Sequence, residues 1–222
     1  MRIQIEKLKS RLKKARSLVV LTGAGVSSES GVPTFRGPGG LWRDHDPMEL
    51  ATPEAFEEDP ALVWEWYDWR RSVISKIQPN PAHYAIAELE KRYAEFTLIT
   101  QNVDGLHLLA GSAKTIELHG SIWTLKCVEC GNSSENREVP IKILPRCSCG
   151  GLLRPSVVWF GESLPEGALY RAFEASSNAE VMLVVGTSGV VQPAASLALR
   201  AKGAGAFVAE INPEATMLSG SL

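Results

Sequence analysis

Five short apolar runs, each ending in glycine or polar residues, constrain this chain more than any other feature. Leu18–Leu21 ends in Gly23-Ala24-Gly25, and Phe96–Thr100 runs into Gln101-Asn102-Val103-Asp104-Gly105-Leu106-His107. Thr115–Leu118 ends in His119-Gly120, Val181–Val185 in Gly186-Thr187-Ser188, and Ala206–Ile211 in Asn212-Pro213. Branched apolar runs of this length suit strands buried on both faces, which are parallel strands. Segments long enough for crossover helices separate most of them. The expected class is therefore α/β, with a Rossmann-like, largely parallel sheet and one cleft beyond the carboxyl ends of its strands.

The first strand end carries chemistry if it binds phosphate. A glycine turn there lets backbone N–H groups approach a pyrophosphate, and a following helix N-terminus adds partial positive charge. The spacing is not GxGxxG, because after Gly25 the next glycine is Gly31, so an ordinary hydride-transfer dinucleotide fold is not supported. Taken alone, the motif is equally a tight turn. The loop Val32–Trp42 is rich in Gly and Pro yet holds Phe35, Arg36 and Trp42. It reads as a lid, or as a surface loop tucked down by Trp42.

From Pro53 to Ile77 the pattern is helical, with Leu62, Val63, Trp66, Trp69, Val73, Ile74 and Ile77 on a broad apolar face. Tryptophans at 64, 66 and 69 cannot share one direction, so one or two are expected to line a pocket or a neighbouring module. Asn80-Pro81 marks the start of a helix running to about Arg92.

All the cysteines lie in one segment: Cys127-x-x-Cys130, sixteen residues, then Cys147-x-Cys149. Two pairs so separated fit a tetrahedral zinc site, with two disulfides as the alternative. A reducing cytoplasm favours zinc. The basic N-terminus supports that compartment, since it lacks the apolar core of a secretory leader; its Ile5, Leu8, Leu12 and Ala15 fall on one helical face. With all four positions taken by cysteine, such a zinc is structural, stapling a module too small for its own core. The second pair, CxC, departs slightly from the usual ribbon.

Composition excludes other classes. A chain of 222 residues suffices for one domain and a small satellite. The formal charge of −2 argues against a general nucleic-acid binder. Lys126, Arg137, Lys142, Arg146 and Arg154 around the cysteines are balanced by Glu129, Glu135 and Glu138, without an aromatic stacking stripe. No apolar run approaches the roughly 20 residues of a membrane span, so no membrane partner and a cytoplasmic location are expected.

GAGVSSESGVPTFRG, TQNVDGLH, Leu118–Gly120, the four cysteines, RPSVVWFGE at Arg154–Glu162, GTSGVVQPA at Gly186–Ala194 and INPE at Ile211–Glu214 follow one another in an order that resembles the sirtuins, NAD-dependent protein lysine deacylases. The resemblance covers the chain from about Leu18 to Glu214. It implies an NAD-binding Rossmann-like domain formed by residues 1–33, 80–122 and 155–222. It also implies a cofactor-binding loop and helical module over 34–79 and a zinc ribbon over 123–154.

By the same resemblance Gly23, Ala24, Gly25 and Ser27 contact the phosphate side of NAD, and Gly186, Thr187, Ser188 and Asn212 hold its pyrophosphate and adenosine ribose. Phe35 and Arg36 belong to the loop that closes over the nicotinamide ribose. Gln101, Asn102 and Asp104 floor the nicotinamide pocket, with Asp104 a partner for the carboxamide. His119 is the general base, with Asn102 and Arg36 beside it in the catalytic set; histidine titrates near neutrality and suits activation of a ribose hydroxyl. Zinc sits on Cys127, Cys130, Cys147 and Cys149. Acylated-lysine proteins or peptides are the implied partners, and Val157, Phe160, Gly161 and Glu162 lie in the strand to which the peptide adds its backbone. The products are free lysine, nicotinamide and an O-acyl-ADP-ribose.

Tyr67-Asp68-Trp69-Arg70 resembles the Tyr-x-x-Arg pair of sirtuins that accept acidic acyl groups, since positions i and i+3 share a helical face. The plainer reading is an exposed arginine beside a half-buried tyrosine. His45, His83 and His107 are read as loop, helix-surface and cleft-wall residues, and Glu162 and Glu210 as structural carboxylates. Sirtuins usually continue beyond INPE with a last strand and helix near the adenine. An end at Leu222 is expected to expose a sheet edge, which favours aggregation, whether the sequence is truncated or the protein binds NAD weakly. A mono-ADP-ribosyltransferase, which cleaves NAD onto a different acceptor, and a non-catalytic zinc-ribbon binding module are the alternative functions.

Overall fold

The computed structural model describes residues 2–33 and 47–222. Phe35, Arg36, Trp42 and His45 lie outside the described residues. Helix α1 (Arg2–Lys14) leads into strand β1 (Ser17–Thr22), and a single turn, α2 (Gly25–Ser28), follows the glycines. Leu8, Leu12 and Ala15 pack on the sheet as the pattern predicts, but Ile5 is 45% exposed, because the packed cluster begins one turn later.

The helical module comprises α3 (Pro47–Leu50), α4 (Pro53–Glu58) and α5 (Pro60–Ile74). The single helical stretch expected over 53–77 is thus broken at Asp59-Pro60. Proline has no N–H to continue α4, and Asp59 instead caps α5 by accepting Leu62 N–H at 3.0 Å. Next come α6 (Pro81–Arg92), β2 (Glu95–Thr100), the short α7 (Leu106–Leu109) and β3 (Thr115–Glu117), which ends one residue before Leu118. The cysteine module holds β4 (Gly120–Cys127), β5 (Ser133–Glu135) and β6 (Leu153–Val157). The chain closes with α8 (Glu166–Asn178), β7 (Val181–Val185), α9 (Ser196–Gly203) and β8 (Phe207–Ile211).

The five predicted strands form one parallel sheet in the order β3-β2-β1-β7-β8, and β5-β4-β6 form a separate antiparallel sheet. The chain builds outward from β1 through β2 to β3, then returns to the other side of β1. The order therefore reverses between β1 and β7, the switch point where open α/β sheets bind ligands. Val19, Leu21, Ile99, Met182 and Val184 face Ala172 of α8 and Leu197, Ala198 and Ala201 of α9. Leu18, Val20, Leu98 and Leu183 face Ile86 of α6 and the apolar stripe of α1.

Helix α5 is tied to the smaller sheet and its loops. Trp64 donates its indole N–H to Leu153 O at 2.9 Å, Asp68 accepts Ile141 N–H at 2.8 Å, and Arg71 donates to Ile122 O and Asn136 O, each at 2.8 Å. Residues 64, 68 and 71 share one face, so α5 is stitched to the cysteine module along its length. Trp64 reaches that neighbouring module, as the tryptophan spacing predicts. No helix among the described residues is long and apolar enough to cross a membrane.

Candidate active site

The switch point is built from glycine. Gly23 N–H bonds to Val185 O at 3.2 Å and Gly25 N–H to Gly186 O at 2.8 Å. A Cβ on Gly25 would lie 2.8 Å from Gly186 O, and one on Gly186, whose φ is +60°, would lie 2.4 Å from Val26 N. Only glycine allows the two strand ends to meet, and the resulting rim carries no side chain at Gly23, Gly25 or Gly186. A dinucleotide pyrophosphate fits such a rim. Gln101 donates to Thr187 Oγ1 at 3.0 Å and Asn212 to Thr187 O at 2.8 Å, so the ends of β2, β7 and β8 are tied to the same place. Ala24 is partly exposed beside it, and Ser188 is exposed.

Beneath the rim lies a closed polar network. Ser27, 1% exposed, donates to Asp104 Oδ2 at 2.7 Å and accepts from Asn102 Nδ2 at 3.1 Å. His83 Nε2 lies 3.3 Å from the same hydroxyl. His83 Nδ1 accepts Asn80 N–H at 3.2 Å, so the ring proton is on Nε2 and His83 donates to Ser27. Asp104 Oδ1 accepts Leu106 N–H at 2.9 Å.

His83 is therefore not the helix-surface residue expected: it is 0% exposed. It occupies the third position of α6 and closes a capping box with Asn80, which turns its ring inward. Asn80 followed three residues later by a side chain able to accept an N–H was the available signal. His107, expected at the cleft wall, is also buried, with Nε2 3.0 Å from Thr22 Oγ1 and its ring 4.8 Å from that of His83. Burial, then the neighbouring His83, pushes the His107 pKa down to about 3. Burial also lowers that of His83, against the pull of Asp104.

His119 stands half-buried just past β3, its Nδ1 3.0 Å from Gln101 O. A carbonyl can only accept, so Nδ1 carries the proton and Nε2 is left bare. Burial lowers the His119 pKa, opposed by the Gln101 carbonyl. An unprotonated Nε2 is the form a general base requires. Two residues earlier, Glu117 is pushed up to about 7, first by burial and then by Asp104.

The segment after β6 differs from expectation. Only Val157 is in a strand; Phe160 and Gly161 form a turn, with Gly161 at φ +86° and Phe160 N–H bonded to Ala51 O at 2.9 Å. Glu162 folds back to accept two hydrogen bonds from Arg154, at 2.7 and 2.9 Å, and one from Trp159 N–H at 2.8 Å. Burial alone would raise its pKa, but Arg154 and the Trp159 N–H outweigh it and hold the carboxyl below its ordinary value. Phe160 remains 52% exposed at the tip of the turn.

Tyr67 and Arg70 are both buried, 1% and 3% exposed, which removes the reading of an exposed arginine. The Arg70 guanidinium lies 4.7 Å from the Trp66 ring and 5.4 Å from the Tyr67 ring. Burial raises the Tyr67 pKa and lowers that of Arg70. Trp159 Nε1 donates to the Tyr67 hydroxyl at 2.8 Å.

The four cysteine sulfurs lie within 4.8 Å of one another, with Cys127–Cys149 at 3.6 Å and Cys130–Cys147 at 3.7 Å. Tetrahedral zinc thiolate, with bonds of about 2.3 Å, places sulfurs about 3.8 Å apart. All four are free thiols rather than disulfides. Four thiolates this close together repel one another and need a cation between them. The residues fit a structural zinc.

The sequence profile of the Sir2 family matches residues 23–193. The NAD-dependent protein deacylase of Aquifex aeolicus is 60% identical over 205 residues, 91% of this chain and 86% of that protein. NAD-dependent protein deacylase 1 of Caldanaerobacter subterraneus is 57% identical over 214 residues, 96% of this chain and 88% of its own. A solved Sir2 homologue–NAD complex aligns with a TM-score of 0.91 at 53% identity, covering 96% of this chain and 84% of that one. A Sir2 structure with deacetylated p53 peptide and 3'-O-acetyl ADP ribose aligns at 0.85 and 35% identity, covering 97% and 89%. Motif order, sheet order and cysteine geometry agree with these matches, and the chain belongs to the Sir2 family, the sirtuins.

Proposed function

We propose that this protein is an NAD-dependent protein lysine deacylase that removes succinyl and malonyl as well as acetyl groups, transferring them to ADP-ribose with release of nicotinamide. The observation that carries the reading is His119, whose proton is fixed on Nδ1 by Gln101 O at 3.0 Å, leaving Nε2 as a base beside the NAD rim. When bound, NAD supplies an electrophilic ribose carbon and nicotinamide as leaving group.

The chain's own residues then divide the work. Gly23, Ala24, Gly25, Ser27, Gly186, Thr187, Ser188 and Asn212 hold the phosphates and adenosine ribose, the closely packed glycines letting backbone approach phosphate. Asn102 and Asp104, locked through Ser27, orient the nicotinamide end, and Asp104 keeps lone pairs for its carboxamide. His119 Nε2 takes the ribose hydroxyl proton, and burial keeps it unprotonated at neutral pH. Phe35 and Arg36 are assigned to closing the site by the family resemblance alone.

Tyr67 and Arg70 receive the acyl carboxylate, with a phenol donor and a guanidinium side by side out of water. Val157, Phe160, Gly161 and Glu162 receive the peptide backbone of acylated-lysine proteins, Glu162 through the turn it braces. Zinc on Cys127, Cys130, Cys147 and Cys149 holds β4, β5 and β6 together.

The test is nicotinamide release from NAD with no peptide, acetyl-lysine peptide or succinyl-lysine peptide, beside His119→Ala. Release requires an acylated peptide and His119; release without peptide, with labelling of protein by ADP-ribose, supports a transferase instead. Arg70→Met lowers the ratio of desuccinylation to deacetylation, and an unchanged ratio defeats the acidic-acyl assignment.

A further inference from the structure

We propose that Trp159 is a positioning residue that selects acidic acyl groups by occupying the acceptor side of the Tyr67 phenol, so that the phenol can offer a ligand only its hydrogen. This rests on the assignment of Tyr67 and Arg70 to the acyl pocket. Tyr67 is 1% exposed, so bulk water does not satisfy its hydroxyl. An indole N–H only donates, and Trp159 Nε1 donates to the Tyr67 oxygen at 2.8 Å across 92 residues of sequence. The Arg70 guanidinium, also a donor only, lies 5.4 Å from the same ring; burial raises the phenol's pKa and the Arg70 charge opposes it.

Donors thus surround the phenol oxygen, and its hydrogen is what remains to be placed. Among the described residues no acceptor receives it. A buried donor without an acceptor is costly, and a ligand that supplies one is preferred over a ligand that does not. The terminal carboxylate of a succinyl or malonyl group fits: it is an anion beside Arg70 and offers lone pairs to the phenol hydrogen. An acetyl group has no such acceptor. An amine-tailed acyl group would bring a donor to a place already crowded with donors.

The indole is itself held still. The Arg154 guanidinium stacks on it at 3.3 Å, Phe56 packs on it at 5.3 Å, and Glu162 accepts its backbone N–H at 2.8 Å. The turn proposed to receive the peptide therefore also orients the phenol that receives the acyl tail.

The experiment compares acetyl- and succinyl-peptide kinetics for Trp159→Phe and for replacement of Trp159 by 3-benzothienylalanine, which keeps the bicycle and removes only the N–H. Loss of one orienting hydrogen bond raises KM for the succinyl peptide about fivefold, with kcat nearly constant and the acetyl KM within about twofold. Tyr67→Phe gives the same pattern, and adding Trp159→Phe to it changes nothing further. Equal losses on both peptides, a fall in kcat alone, or additive losses in the double variant would overturn the proposal and leave the indole a space-filling group. Arg70→Met separates the two levels. If it leaves the acyl ratio unchanged, the pocket assignment fails; if it collapses the ratio while both Trp159 variants preserve it, only the role of Trp159 fails.

Discussion

Arg71→Met tests whether the cysteine module holds helix α5 in place. Arg71 is 0% exposed and donates to Ile122 O and Asn136 O at 2.8 Å, to Glu138 O at 3.1 Å, and to the Asn136 side chain. A hydrogen bond from a charged group contributes about 1.5–3 kcal/mol, and three backbone carbonyls would lose their donor. Three terms reduce the sum: two nitrogens serve all four contacts, Nε has no partner among the described residues, and removing the buried charge recovers desolvation. The net destabilisation is about 4 kcal/mol, in the range for breaking a buried hydrogen-bond network. For a chain of 222 residues this lowers the unfolding midpoint by about 8–16 °C. The assay is thermal and urea unfolding of the zinc-saturated protein, with zinc transfer to a chelator followed in parallel. Arg71→Met unfolds earlier and gives up zinc faster, and Arg71→Lys recovers part of both. A loss below about 1 kcal/mol with unchanged zinc release would show that packing of Trp64 and Ile122, not these bonds, fixes α5.

Four further outcomes are expected. Gly25→Ala places a methyl 2.8 Å from Gly186 O, and the forced separation of β1 and β7 destabilises by about 1–3 kcal/mol and weakens NAD binding, read by calorimetry; unchanged affinity contradicts the rim. Since the His119 pKa is lowered from 6.5, the acidic limb of kcat/KM lies below pH 6.5, and a limb above that value contradicts an unprotonated base. Glu117, raised from 4.5 to about 7, carries a buried charge above pH 7 that the unfolded chain solvates freely. Glu117→Gln is therefore more stable than the parent at pH 8, and the advantage disappears as pH falls from 7 through 4.5, which urea midpoints at the two extremes will show. Chelation of zinc frees Cys127, Cys130, Cys147 and Cys149 to alkylation and disorders β4–β6, while amide exchange in β1, β2 and β7 stays slow.

Features governed by local periodicity and spacing were legible. The five strands were readable because strands buried on both faces carry unbroken apolar runs, and the cysteine site because four thiols at ligand spacing have few other uses. Asn80-Pro81 marked α6 correctly. Contacts between distant residues were not legible. Nothing near Tyr67 announces Trp159, 92 positions later, and Arg154 meets Glu162 only because Gly161 takes φ +86° and turns the chain back. The expected strand over 157–162 stops at Val157 because its partner β4 begins at Gly120, which pairs with Val157. His83 reads from sequence as a surface residue because a histidine on an amphipathic helix is usually solvated, and its cap role appears only when Asn80 is read together with it.

The placement of β1 at the centre of the sheet also dictates the order in which the molecule can be made. Its partners lie far away along the chain: Thr22 bonds to Thr100, 78 residues on, and Ser17 to Glu180, 163 residues on. A ribosome that has released only the first half of the chain can deliver β1, β2 and β3, but one edge of β1 stays bare until β7 emerges. That edge is apolar and carries unpaired N–H and C=O groups able to pair with another strand. The Gly25–Gly186 contact, and with it the glycine rim, cannot form before β7 has emerged. Contacts of such long range fold slowly, so the nascent protein passes through a state that is already sheet-like, lacks the glycine rim and exposes a strand edge of the kind that favours aggregation.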